Sequence, residues 1–197
     1  MRLHFSLVPA LLVCAVLGVQ AQPAAPSCAD LHVVPAPREC TAVASIAIGE
    51  PGLTVTAAKN ADDEFTAKDL EEALKGAGAA SSLRGVVIHL EPADTATAKR
   101  LLDESKLSFD PAMHDEGYVI VPDGKHGLAV IAQTSTGLFY GAQTVKQLIR
   151  GSGKYAVLLV PTVRDWPAMK YRGLSDDWSR GPLPNMDFVK REIRTLA

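Results

Sequence analysis

At 197 residues, 47% hydrophobic and 21% charged, the chain has room for one folded domain and the start of a second, and its composition is not that of a disordered protein. A net charge of −2 gives no basic footprint, so neither nucleic acid nor an acidic membrane surface is expected as a partner.

Arg2 and His4 precede an apolar run from Phe5 to Val19, and Val19-Gln20-Ala21 supplies small residues for a signal peptidase. These are the n-region, h-region and cleavage site of a secretory signal, so residues 1–21 are read as a signal peptide and the mature chain as secreted or periplasmic. The run is too short and too weakly flanked for a membrane span, and no membrane association is expected after cleavage. Cys14 leaves with the signal, and Cys28 and Cys40 remain. In an oxidising compartment such a pair forms a disulfide, here closing a short loop worth roughly 3 kcal/mol on loop-entropy grounds. His32 alone cannot complete a metal site, so neither a metal nor a cofactor is expected.

Residues 22–29 begin with a Pro/Ala stretch and are expected to be a disordered tail. Leu31–Val34, Ala42–Ile48 and Leu53–Ala57 have strand character, with a Pro51-Gly52 turn between the last two. Asn60 is a good N-cap, followed by Asp62, Asp63 and Glu64 where the helix dipole favours acids. Leu70, Ala73, Leu74 and Ala77 then form one apolar face, and Gly76 and Gly78 end the helix. Gly85–Leu90 is β-branched and predicts a strand buried on both faces, with His89 as a structural histidine. A second helix starts near Thr95 and buries Ala98, Leu101 and Leu102.

Gly117–Val121 and Gly127–Ala132 flank a short loop containing Asp123-Gly124, which predicts a hairpin. Thr134–Arg150 predicts a helix with Leu138, Ala142, Val145 and Ile149 on one face. Tyr155–Val160 is a further strand, and Pro161–Pro167 a linker. Strands, helix, strand, helix, hairpin, helix and strand make an α+β domain over residues 30–163, with helices packed on a small sheet. From 164 to 197 the pattern changes. Lys170–Ser175 predicts a strand, 176–184 a polar loop, and Asn185 caps a helix carrying Met186, Val189, Ile193 and Leu196 on its apolar face. One β/α unit cannot bury both faces of its strand, so it is expected to open a larger β/α barrel.

Several chemistries are excluded by the absence of His-Glu-x-x-His, a phosphate-binding glycine loop and a Gly-x-Ser-x-Gly elbow. Asp176 and Asp177 are adjacent, so on an extended strand end they point to opposite sides and do not flank one bond. Asp177 is read as holding an arginine, with Asp176 solvated. Arg172 next to a polar loop offers a bidentate fork, suited either to sugar hydroxyls or to an ion pair with Asp177.

Tyr171-Arg172-Gly173, followed by Asp177 and Arg180, resembles the opening barrel strand of glycoside hydrolase family 20, the β-N-acetylhexosaminidases. Thr136-Gly137-Leu138-Phe139-Tyr140-Gly141, with Gln143-Thr144 and Gln147-Leu148, is similar to the last helix of that family's N-terminal domain, and Val34-Pro35-x-Pro37 to its opening. The resemblance implies a zincin-like accessory domain, metal-free despite its name, followed by a catalytic barrel. It implies that Arg172 contacts a terminal N-acetylhexosamine, with Asp177 and Arg180 supporting that wall. In the family the substrate's acetamido oxygen attacks the anomeric carbon, assisted by an Asp-Glu pair on a later strand. That pair is not expected within these residues, so no catalytic residue is assigned and the chain is expected to be inactive alone. Gly181 stands where the family usually has histidine, and family 84 glycosidases share the accessory domain. The competing expectation is a free-standing carbohydrate-binding or scaffold module.

Overall fold

The computed structural model describes residues 27–80, 82, 85–124, 127–175 and 177–196. Residues 1–21, read as a signal peptide, and the Pro/Ala stretch up to residue 26 lie outside them, as do residues 125, 126 and 176.

Seven strands, β1 (Glu39–Ala47), β2 (Leu53–Thr56), β3 (Val86–Pro92), β4 (Tyr118–Pro122), β5 (Gly127–Ala132), β6 (Ile149–Arg150) and β7 (Val157–Asp165), form one mixed sheet. Its order is β1-β7-β4-β5-β3-β2, with β6 paired to β7. β2, β3 and β5 run parallel, and the other pairings are antiparallel. Among the described residues four α-helices accompany it: α1 (Ala61–Gly76), α2 (Ala96–Ser105), α3 (Ser135–Lys146) and α4 (Met186–Leu196).

The pleat sends alternate side chains to opposite faces. Tyr118, Ile120, Leu128, Val130 and Ala132 enter one core with Leu70 and Leu74 of α1 and Leu138, Ala142 and Val145 of α3. Val119, Val121, Ala129 and Ile131 enter the other, with Ala98 and Leu101 of α2 and Met113. The central hairpin is therefore buried on both sides, which its uninterrupted apolar sequence requires. Gly141 is what lets α3 approach so closely, because a Cβ there would sit 2.3 Å from Val130 Cγ1.

Helix starts follow their caps. The Asn60 side chain accepts from the Asp63 backbone at 2.9 Å, Thr95 from Ala98 at 3.1 Å and Thr134 from Gly137 at 3.0 Å. Cys28–Leu31 is a short 3₁₀ turn rather than part of a disordered tail or a strand. It is held by a disulfide from Cys28 to Cys40.

Four expected elements differ from the structure. β3 is half-buried rather than buried on both faces: Val86, Ile88 and Leu90 point to the core, while Val87 and His89 do not. The His89 ring instead meets the Thr56 hydroxyl at 2.9 Å and Asp123 at 3.5 Å. α3 stops at Lys146, and Ile149–Arg150 joins the sheet as β6. β7 runs straight through Pro161 to Asp165. Proline lacks the N–H a ladder needs, yet Pro161 is tolerated because its partner Val43 directly follows a bulge in β1, where Ala42 takes φ 44°. Finally, Lys170–Ser175 forms no strand. Its backbone is irregular and exposed, since no neighbouring strand among the described residues is there to pair with it.

Candidate functional site

β4 and β7 pair antiparallel from Tyr118 opposite Asp165 to Ile120 opposite Val163. The chain entering β4 and the chain leaving β7 therefore lie side by side at one end of the sheet. The entering loop carries Asp115 and Glu116; the leaving segment carries Lys170 and Arg172. Opposite charges meet: Lys170 Nζ lies 3.6 Å from Asp115 Oδ2, and Arg172 Nη2 lies 2.6 Å from Glu116 Oε2.

The acidic loop is built on rigid parts. The Gly117 amide donates to the Met113 carbonyl at 2.8 Å, and the Thr134 hydroxyl that caps α3 also donates to the Asp115 carbonyl at 2.6 Å. Tyr140, one turn further along α3, places its ring 5.2 Å from the Arg172 guanidinium carbon, a cation–π contact. Arg172 Nη1 donates to the Met169 carbonyl at 3.1 Å. Glu116, first by its close side-chain contact and then by its charge, raises the Arg172 pKa further above its already high value, against the opposing effect of burial. A guanidinium carries five N–H donors, and the Arg172 side chain is 37% exposed, so part of the fork remains available to a hydroxyl-bearing ligand.

The other expected site residues are placed differently. The ion pair read between Arg172 and Asp177 does not form, because Glu116 occupies that role. Asp177 turns back on its own loop instead, where the Ser179 hydroxyl first, and then the Ser179 amide donating at 2.8 Å, hold its carboxyl below the usual range. Arg180 is exposed and pairs with no carboxylate among the described residues. His114, through its bond to Asp115 at 2.9 Å, and then the Lys170 charge lower the Asp115 carboxyl in the same way. Neither Glu116 nor the ring of Tyr140 was assigned a role from sequence. The only signal for them was the match of an acidic pair before β4 to a basic pair after β7, which is meaningful only once those strands are known to be neighbours.

Beside this seam Trp166 stacks between two arginines, 4.8 Å from Arg38 and 5.7 Å from Arg164, and its carbonyl accepts from Arg38 Nε at 2.8 Å. Arg164 in turn pairs with Glu39 and Asp110, each at 2.7 Å. This network fixes the direction in which the chain leaves the sheet. Among the described residues no group of His, Cys, Asp and Glu is arranged to hold a metal ion, and no helix is long and apolar enough to cross a membrane.

Comparison with known proteins gives this arrangement a context. A β-hexosaminidase of Porphyromonas gingivalis (strain ATCC BAA-308 / W83) is 35% identical over 92 residues, 43% of this chain and 12% of that protein. The structure of a GH20 exo-β-N-acetylglucosaminidase from Vibrio harveyi, in complex with N-acetylglucosamine, matches 89% of this chain and 25% of its own length at 18% identity and a TM-score of 0.58. A Streptomyces plicatus β-hexosaminidase in complex with product matches 83% of this chain and 32% of its own at 22% identity and a TM-score of 0.55. The chain thus spans a third or less of the length of each. The family model "Glycosyl hydrolase family 20, domain 2" matches residues 30–166, the sheet and its helices up to the tryptophan just past β7. The chain belongs to glycosyl hydrolase family 20 through that domain.

Proposed function

We propose that this chain is the N-terminal part of a secreted β-N-acetylhexosaminidase-like glycosidase: an accessory domain over residues 30–163, followed from residue 164 by the first, incomplete β/α unit of a catalytic barrel. The activity of the complete enzyme is removal of a terminal N-acetylhexosamine by substrate-assisted, retaining hydrolysis. The observation that carries this reading is the distribution of exposed apolar side chains. Nine of the twelve large exposed hydrophobics fall between Met169 and Leu196, whereas 27–166 hides nearly all of its own. In α4, Met186, Phe188, Ile193 and Leu196 are all exposed, on a helix whose sequence is strongly amphipathic. Such a face calls for further packing partners, as the first helix of a barrel would have.

On this reading Arg172 contacts the sugar, and the catalytic Asp-Glu pair comes from a later strand. The Cys28–Cys40 disulfide supports an oxidising, extracytoplasmic location. The ligand is a carbohydrate, in keeping with the N-acetylglucosamine complex of the Vibrio harveyi relative. The test is hydrolysis of a chromogenic N-acetylglucosaminide. The isolated 197-residue chain is expected to give no turnover, and clear turnover by it would overturn the assignment of chemistry to residues outside it.

A further inference from the structure

Building on that reading, we propose that Glu116 and Tyr140 are positioning residues for Arg172, so that the accessory domain itself aims the sugar-facing fork. Three contacts reach the guanidinium: the Glu116 carboxylate at 2.6 Å, the Tyr140 ring at 5.2 Å and the Met169 carbonyl at 3.1 Å. The carboxylate fixes where the cation sits, the ring limits how its plane tilts, and the carbonyl occupies one Nη edge. An exposed ion pair alone orients little. Here, however, the anchors stand on α3 and on the loop entering β4, both tied to the buried sheet, while Arg172 stands on an irregular segment with no strand to hold it. Without such a socket a long side chain on that segment would sample many rotamers. The Arg172 side chain stays 37% exposed, so the donors these contacts leave free can meet a hydroxyl-bearing ligand.

The socket is testable in the chain as it stands, by limited trypsin digestion read by mass spectrometry. The bond after Arg172 reports the socket, and the bond after the exposed Arg180 serves as control. Glu116→Gln is expected to speed cleavage after Arg172 by about two- to fivefold, the scale of a partly exposed ion pair. Cleavage after Arg180 should not change. Tyr140→Leu should act in the same direction, and Tyr140→Phe, which keeps the ring but loses the hydroxyl that also bonds Arg172, should fall between Tyr140→Leu and the wild type. An unchanged rate after Arg172 in Glu116→Gln, or equal acceleration at both bonds, would overturn the proposal. So would loss of the effect's ring dependence, with Tyr140→Phe cut as fast as Tyr140→Leu. Turnover in the hydrolysis assay would overturn the placing of the chemistry outside this chain and leave these digestion rates untouched.

Discussion

The side-chain amide of Gln147 pairs with the backbone of Val34 on both edges: Oε1 accepts from the Val34 amide at 2.9 Å, and Nε2 donates to its carbonyl at 3.0 Å. One glutamine just past the end of α3 thus supplies the hydrogen bonds that a neighbouring strand would otherwise give to the entering chain. Arg150 adds to this clamp by donating to the Leu31 carbonyl.

Replacing Gln147 with leucine keeps the volume but removes both bonds. The expected cost is about 1–3 kcal/mol, the range for two hydrogen bonds in a half-buried setting. Amide exchange at Val33 and Val34 should accelerate more than exchange in β4 and β5. A uniform loss of protection would contradict this local role.

Tyr118 tests the inner end of the seam. Its hydroxyl lies 2.6 Å from the Thr144 hydroxyl and 2.8 Å from Asp165 Oδ2, and burial first, then the Asp165 charge, pushes the phenol far above its ordinary value of 10.0. A raised folded-state pKa means that the folded protein holds its proton more tightly than the unfolded chain. The associated stability is therefore intact below about pH 10 and is lost as the pH rises beyond it. Tyr118→Phe should cost about 1–3 kcal/mol at neutral pH by chemical denaturation, and should flatten the fall in stability above pH 10. An equally steep alkaline fall in the variant would assign that loss to other groups.

Two glycines give opposite expectations. A Cβ at Gly141 would meet Val130 Cγ1 at 2.3 Å and the Tyr118 ring at 3.2 Å, whereas one at Gly76 meets nothing within 4 Å. Gly141→Ala should destabilise by about 1–3 kcal/mol through overpacking, and Gly76→Ala should stabilise by about 0.4–1 kcal/mol through helix propensity. Thermal denaturation of the two variants side by side checks the close approach of α3 to the sheet.

The disulfide joins residues 12 apart in sequence and ties the 3₁₀ turn to β1, an edge strand with mostly exposed side chains. Replacing both Cys28 and Cys40 with serine should lower stability by up to about 3 kcal/mol, with exchange accelerating first over Cys28–Val33 and β1. Unchanged exchange there would show that the turn is held by the Gln147 and Arg150 clamp alone.

The domain's helices and hairpin were legible because caps and periodicity acted locally. Asn60, Thr95 and Thr134 each cap the helix that their sequence position announces. What escaped were features set by distant partners. Pro161 reads as a break, yet its strand continues because β1 bulges opposite it, and nothing near Pro161 in sequence encodes that bulge. Lys170–Ser175 has strand-like alternation but no partner strand, and propensity alone does not sustain an isolated strand. Arg172 was singled out by its motif, while its actual carboxylate is Glu116, far away in sequence, and not the nearby Asp177.

The central claim, as proposed above, is that the accessory domain is followed by a segment whose helix α4 lacks its packing partners. Hydrogen exchange on the 197-residue chain tests it most directly, by comparing α4 with α3. The account predicts that amides of Phe188–Leu196 exchange close to the unfolded rate while those of Leu138–Lys146 are strongly protected. Protection of α4 equal to that of α3 would contradict it.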